Sequence, residues 1–175
     1  MVLCIIIMRR WLGLTSNKVV KMIDNFDCFM AGHKVITNRG IVNIEDIKVG
    51  DMVLSHDLTY NMVNKVNSYI HSGDLLTFTI KNIDESVTCT PEHKFLTFES
   101  GWLEAKNITF DHHILLANMK DDDVNSYSEI VSISASYDVV EMVYNLCVDK
   151  THSYAVNNII AVSYTHLRAH ETLRH

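Results

Sequence analysis

One internal duplication constrains this 175-residue chain more than any other feature. Lys34-Val-Ile-Thr-Asn-Arg-Gly40 is matched by Lys94-Phe-Leu-Thr-Phe-Glu-Ser-Gly101, with one residue inserted. After those glycines the match runs without gaps: Ile41–Ile47 lies over Trp102–Ile108, and Met52–Leu54 over His113–Leu115. Two copies about 61 residues apart are too few for a solenoid. They predict two similar subdomains packed as a pseudo-two-fold pair.

Each copy is built from short runs rich in Val, Ile, Thr and aromatics, the residue types that suit a pleated, half-buried surface. HKVIT, DMVLS, LLTFTI, SVTCT, HKFLT, HILLA, EIVSISA, VVEMVYNLCV and NIIAV recur roughly every dozen residues, with Asn-Arg-Gly, Val-Gly-Asp and Ser-Gly-Asp between some of them. No long window between 33 and 161 keeps a helical period, so this region is expected to be all-β. The best helix candidate lies earlier, from Thr15 to Phe26, where Ser16 or Asn17 would cap it. A polar stretch between Asn118 and Glu141, including Asp121-Asp122-Asp123, reads as an exposed loop leading into a strand. It is too short for another enzyme domain.

With 47% hydrophobic and 21% charged residues, a packed core is expected rather than disorder. The net charge is −6, and both ends are slightly basic, so the body from 28 to 161 is more acidic than the whole. An acidic body without a basic stripe argues against a nucleic-acid surface. Four widely spaced cysteines, Cys4, Cys28, Cys89 and Cys147, contain no CxxC pair and fit a reducing cytoplasm. The opening MVLCIIIM run is too short to span a bilayer, and Arg9-Arg10 follow rather than precede it, so neither a membrane span nor a secretory signal is expected.

Among residues able to carry chemistry, Cys28 opens one copy of the duplication and Thr90-Pro91-Glu92-His93 opens the other. A cysteine nucleophile needs a nearby base and donors for an oxyanion. A threonine and a histidine three apart across a proline turn can both face one amide. Adjacent His112 and His113 point to opposite faces of a strand, so a shared metal ion is not expected there. Cys89 and Cys147 read as small core residues, and Phe78, Phe95, Trp102 and Tyr144 as packing.

Together these segments resemble the splicing motifs of inteins and related Hint domains. Cys28-Phe-Met-Ala-Gly-His-Lys-Val-Ile-Thr37 with Gly40–Asp51 is similar to their N-terminal motif. Thr90–His93 followed by Gly101-Trp102 is similar to their Thr-x-x-His motif. Val143–Val148 with His152, Tyr154, Asn157-Asn158 and Ile159-Ile160 is similar to their C-terminal motif. The resemblance covers residues 28–161 in the family's order. It implies an all-β Hint horseshoe without a homing endonuclease, preceded by a host segment, 1–27.

The resemblance also implies a mechanism. Cys28 would attack the Asp27 carbonyl, converting the 27–28 amide to a thioester. Thr90 would hydrogen-bond near the scissile amide, His93 would protonate the departing amine, and His152 would assist the later C-terminal steps. Asp27 would hasten release of 1–27 by attacking the thioester through its own carboxylate. The domain would act in cis on its flanking extein segments as a cytoplasmic monomer, without cofactor, nucleic acid or membrane. Zinc at Cys28 would inhibit rather than serve as a cofactor.

The chain departs from the family in three ways. Asn145 stands where many inteins carry Asp, which removes any acid–base or thiol-activating help from that carboxylate. Asn158 replaces the usual Gly, although Asn tolerates the left-handed conformation. Val162 and Ser163 stand in place of the terminal His-Asn, and serine has no carboxamide with which to cyclise. Val162–Thr172 is similar to the translation of a transposon-type sequencing adapter, so 162–175 are expected to be foreign. Two other readings stand beside splicing: a bacterial intein-like or toxin-associated Hint domain that only cleaves, and a non-catalytic β binding module in which Cys28 is packing.

Overall fold

The computed structural model describes residues 27–117 and 126–163. The helix candidate at 15–26, the Asp121–Asp123 run and the chain after Ser163 lie outside the described residues. Twelve strands follow in order: β1 (Phe29–Met30), β2 (Lys34–Thr37), β3 (Gly40–Asn43), β4 (Met52–Leu54), β5 (Tyr60–Ile80), β6 (Val87–Cys89), β7 (Lys94–Thr97), β8 (Gly101–Glu104), β9 (His113–Leu115), β10 (Tyr127–Val148), β11 (Ser153–Val156) and β12 (Ile159–Val162). Two 3-10 turns, Ile44–Asp46 and Ala105–Asn107, are the helical elements among the described residues.

The duplication is reproduced bond for bond. Thr37 Oγ1 donates to Gly40 O and Thr97 Oγ1 to Gly101 O, each closing a hairpin whose glycine has positive φ. Each hairpin enters a 3-10 turn at the same place: Ile44 N–H donates to His33 O, and Ala105 N–H to His93 O. Strand β2 then pairs with β4 at Thr37–Val53, as β7 pairs with β9 at Thr97–Ile114. The equivalence starts one residue earlier than the sequence match, because His33 and His93 precede their strands identically.

The hairpin β11–β12 joins the two copies. Val156 pairs with Val35 of β2, and Ala161 with Phe95 of β7. These contacts close the sheet path from β11 through β12, β7, β9, β10, β5, β4 and β2 back to β11, and among the described residues leave β3 and β8 each paired along one side. The hairpin turns at Asn157 and Asn158, both at positive φ, so Asn158 does adopt the left-handed conformation. Phe29, Val35, Phe95, Leu146, Tyr154 and Ala161 meet in the core where the copies face each other.

Two sequence expectations are corrected by the long strands. Strand β10 begins at Tyr127, so most of the supposed 118–141 loop is strand. Likewise β5 extends over Tyr60–Asp74, a segment without a β-type run in the sequence analysis. These segments pair with each other from Val63 to Ile80 as a bulged ribbon, exposed along much of β10. A ribbon that touches water needs few apolar residues, so its β signal is weak. Trp102 is 38% exposed rather than packed inside, and lies edge-on to His56. Cys147 is only half-buried, while Cys89 is fully buried.

Candidate active site

The site lies where β6, β1 and β10 run side by side. Phe29 pairs with Cys89 on one flank and Tyr144 on the other, so one residue earlier Cys28 falls between Thr90 and Asn145. All three are buried, with Cys28 fully enclosed and Thr90 and Asn145 each 1% exposed. The Cys28 N–H donates to Thr90 Oγ1 at 3.0 Å, and the Thr90 N–H returns a bond to Cys28 O at 3.0 Å.

On the other side of the same peptide bond, Asn145 Nδ2 donates to the Asp27 carbonyl oxygen. The orientation of that amide is set by its other end: Asn145 Oδ1 accepts the Leu146 N–H at 2.6 Å and the Tyr154 hydroxyl at 3.3 Å. With two donors on its oxygen, the nitrogen must face Asp27. The Asp27–Cys28 amide is therefore gripped at N–H and at C=O by two buried side chains. Asn145, at the position read as a loss of chemistry, is aimed at this carbonyl.

His93 follows the proline turn, which its own N–H closes onto Thr90 O. Its ring is enclosed between Phe29, at 4.1 Å between centroids, and Phe95, at 5.4 Å. Among the described residues neither ring nitrogen has a hydrogen-bond partner, although main-chain groups of Val162 and Cys28 lie beside it and favour its protonation. Desolvation outweighs them and pushes its pKa down to about 3. At neutral pH the imidazole is therefore neutral, so it is placed to take a proton before giving one.

The Cys28 thiol is pushed far up, first by burial and then by the Asp27 charge, so no thiolate is stored and deprotonation must accompany attack. None of the three described cysteines is in a disulfide.

His33 is the repeat counterpart of His93, and sequence reasoning missed it. Gly-His-Lys at 32–34 against Glu-His-Lys at 92–94 carried the signal. His33 Nε2 accepts the Thr88 N–H at 2.9 Å and Nδ1 donates to Met30 O at 2.9 Å, so both nitrogens are satisfied. Of two equivalent histidines, one is tied into the frame and the other is left bare.

His152 stands apart from this cluster. It is exposed, with φ of 50°, and its Nδ1 lies 3.1 Å from Val148 O. Its carbonyl accepts the N–H of Ser163, whose own Oγ accepts from Val148 N–H. His152 thus borders the end of β12. Of the adjacent pair, His112 lies before β9 with Nδ1 3.0 Å from Thr109 Oγ1, whereas His113 pairs with Glu99 at 2.6 Å. Among the described residues no group of three or more His, Cys, Asp or Glu is arranged to hold a metal ion. Nor is any helix among them long and apolar enough to cross a membrane.

The chain matches no protein-family profile. It is similar in structure to a bacterial intein-like domain from Clostridium thermocellum, 25% identical, with a TM-score of 0.69 over 80% of this chain and 100% of that one. It is also similar to a DnaB intein from Synechocystis, 21% identical, with a TM-score of 0.67 over 79% and 99% of the two chains. In sequence it is 30% identical over 112 residues to a probable translation initiation factor from Methanocaldococcus jannaschii, covering 51% of this chain and 9% of that protein. It is 42% identical over 83 residues to a DNA polymerase from Thermococcus aggregans, covering 47% of this chain and 4% of that protein. The chain thus spans less than a tenth of the length of these curated relatives.

Proposed function

We propose that this chain, which has the Hint fold of the inteins, is an autocatalytic protein-splicing domain of the mini-intein form. The observation that carries the reading is the grip on one peptide bond, with Asp27 O on Asn145 Nδ2 and Cys28 N–H on Thr90 Oγ1 beside the bare ring of His93. The curated matches support it. A short segment shared by an initiation factor and a DNA polymerase, proteins of unrelated activity, is what an inserted self-removing domain leaves. Its partner is therefore the precursor in which it sits, and it acts in cis. Residues 28–161 form the splicing domain on this reading, 1–27 the end of a host segment, and 162–175 a foreign tail.

The first step is an N-to-S acyl shift. The Cys28 Sγ–H proton passes to neutral His93 as sulfur attacks the Asp27 carbonyl carbon. The carbonyl electrons move onto oxygen, where the Asn145 amide receives them in a water-poor site. The C–N bond then breaks as the Cys28 nitrogen takes the proton from His93, leaving a thioester and a free amine with no net change in charge. Thr90 holds the amide nitrogen in line throughout. Water or an external thiol then releases residues 1–27.

Ser163 limits the rest of the sequence of steps. Without a carboxamide at that position the C-terminal side is not freed, so this chain cleaves at its N-terminal junction only. The likeness to a bacterial intein-like domain favours the second reading, a Hint domain that naturally only cleaves. Intact-mass spectrometry with and without a small thiol, beside Cys28→Ala, tests both. A new N-terminus at Cys28, accelerated by thiol and absent in the variant, is the expected result. An intact parent under thiol would sink the cysteine mechanism and leave a packing cysteine in a binding module.

A further inference from the structure

The mechanism above leaves one buried polar group unexplained. Asn67, in the middle of β5, is 6% exposed, and its Nδ2 has no hydrogen-bond partner. Buried amide nitrogens are nearly always paired, because an orphan forfeits its hydration without compensation. The position of this one is specific. Asn67 lies directly opposite Asn145 in the β5–β10 register, so both side chains stand on the same face, with Cβ atoms about 5 Å apart. The rung reads Thr90, Cys28, Asn145, Asn67 across β6, β1, β10 and β5.

Asn145 offers Asn67 nothing. Its oxygen already accepts from Leu146 and Tyr154, and its nitrogen is committed to Asp27 O. Acceptor capacity on this face grows at one atom during the reaction. The planar Asp27 carbonyl oxygen becomes an oxyanion, gains a lone pair, and swings as its carbon turns tetrahedral. A donor unpaired in the ground state and met only at that stage lowers the barrier without stabilising the starting amide.

We propose that Asn67 is a second hydrogen-bond donor to the Asp27 oxygen in the tetrahedral state of the acyl shift, completing with Asn145 a two-amide oxyanion site. This rests on the cysteine-dependent cleavage proposed above.

The test uses the full chain with Asn67→Ala and Asn67→Asp beside the parent and Cys28→Ala. Release of residues 1–27 by dithiothreitol is followed by intact mass, with thermal melts of each variant. Asn67→Ala should keep the parent's melting transition and cleave roughly tenfold to a hundredfold more slowly. Asn67→Asp should show a pH signature in its rate relative to the parent, measured between about pH 5 and 8. At the acid end its protonated carboxyl donates, and the ratio approaches one. As pH rises the carboxylate faces an oxyanion, and the ratio falls. Should the alanine variant fail to fold, the near-isosteric Asp variant decides alone.

Parent-like rates in both variants, with a ratio near one at every pH, would overturn the proposal. So would loss of the folded state in both, which makes Asn67 structural. A parent that stays intact under thiol removes the underlying reading and this inference together. A cleaving parent with indifferent Asn67 variants removes this inference alone.

Discussion

Asn145 Nδ2 donates to the carbonyl oxygen of Asp27, across 118 residues of sequence, while its own oxygen is held by Leu146 and Tyr154. The carboxamide is thus locked with its donor end toward the carbonyl that Cys28 attacks on the proposed mechanism. Replacing it with alanine removes a preorganised donor from a water-poor site, and thiol-driven release of residues 1–27 should slow by roughly 10²–10³-fold. Tyr154→Phe removes only one of the two groups orienting that amide, so its effect should be smaller. Single-turnover rates by mass spectrometry separate the two, and equal losses would show that the amide orientation does not matter.

The bare imidazole of His93 links stability to pH. In the unfolded chain a histidine takes a proton near 6.5, whereas His93 in the folded protein does so only near 3. Acid therefore favours unfolding. The contribution is whole above about pH 6.5 and is lost as pH falls toward 3, at up to about 1.4 kcal/mol per pH unit. His33 is shifted in the same direction by burial and adds to the trend. Urea unfolding of the parent and of His93→Leu should give a steeper decline in the parent between these limits. Parallel curves would mean that His93 is hydrated in solution.

Asp27 acts in two opposed ways. Its charge adds to the burial that keeps the Cys28 thiol protonated. Once a thioester forms, the same carboxylate can attack it through a five-membered anhydride, expelling the Cys28 sulfur. Asp27→Ala should slow spontaneous release of residues 1–27 in the absence of thiol, while release driven by added thiol is not slowed. Equal slowing of both would place Asp27 in the acyl shift itself.

On the splicing reading, the C-terminal junction should be repairable at two positions. Ser163 is 1% exposed, with its N–H on His152 O and its Oγ on the Val148 N–H, so this residue is already held. Val162→His with Ser163→Asn supplies a carboxamide nitrogen that attacks its own carbonyl, forming a succinimide and passing a proton to the departing amine of Tyr164. Release of 164–175 is the expected product, detectable by mass. Adding His152→Ala should slow it at least roughly tenfold. An unchanged rate would exclude His152 from this step.

The duplication was legible because its signals are local. A threonine that caps its own hairpin, a glycine at positive φ and a short 3-10 turn leave the same residues at the same offsets in both copies. The long strands were not legible. Tyr60–Asp74 and the polar part of β10 pair with each other at a distance and face water, so neither carries the apolar alternation that marks a half-buried strand. Cys28, Thr90 and His93 stood out only through the resemblance of their segments to the splicing motifs. Asn67 and His33 did not, although His33-Lys34 against His93-Lys94 extended the repeat by one residue.

By itself, then, the sequence determined the all-β class and the two-copy plan, since each depends on neighbours along the chain. Only the tertiary structure decided which of two equivalent histidines is bare, that Cys28 is held as a thiol, and that Asn145 is a donor rather than a missing carboxylate. Those properties depend on desolvation and on hydrogen-bond partners brought from distant strands. Thr88 and Met30 satisfy His33, whereas His93 is enclosed between Phe29 and Phe95. Similar local sequence is thereby given opposite chemistry.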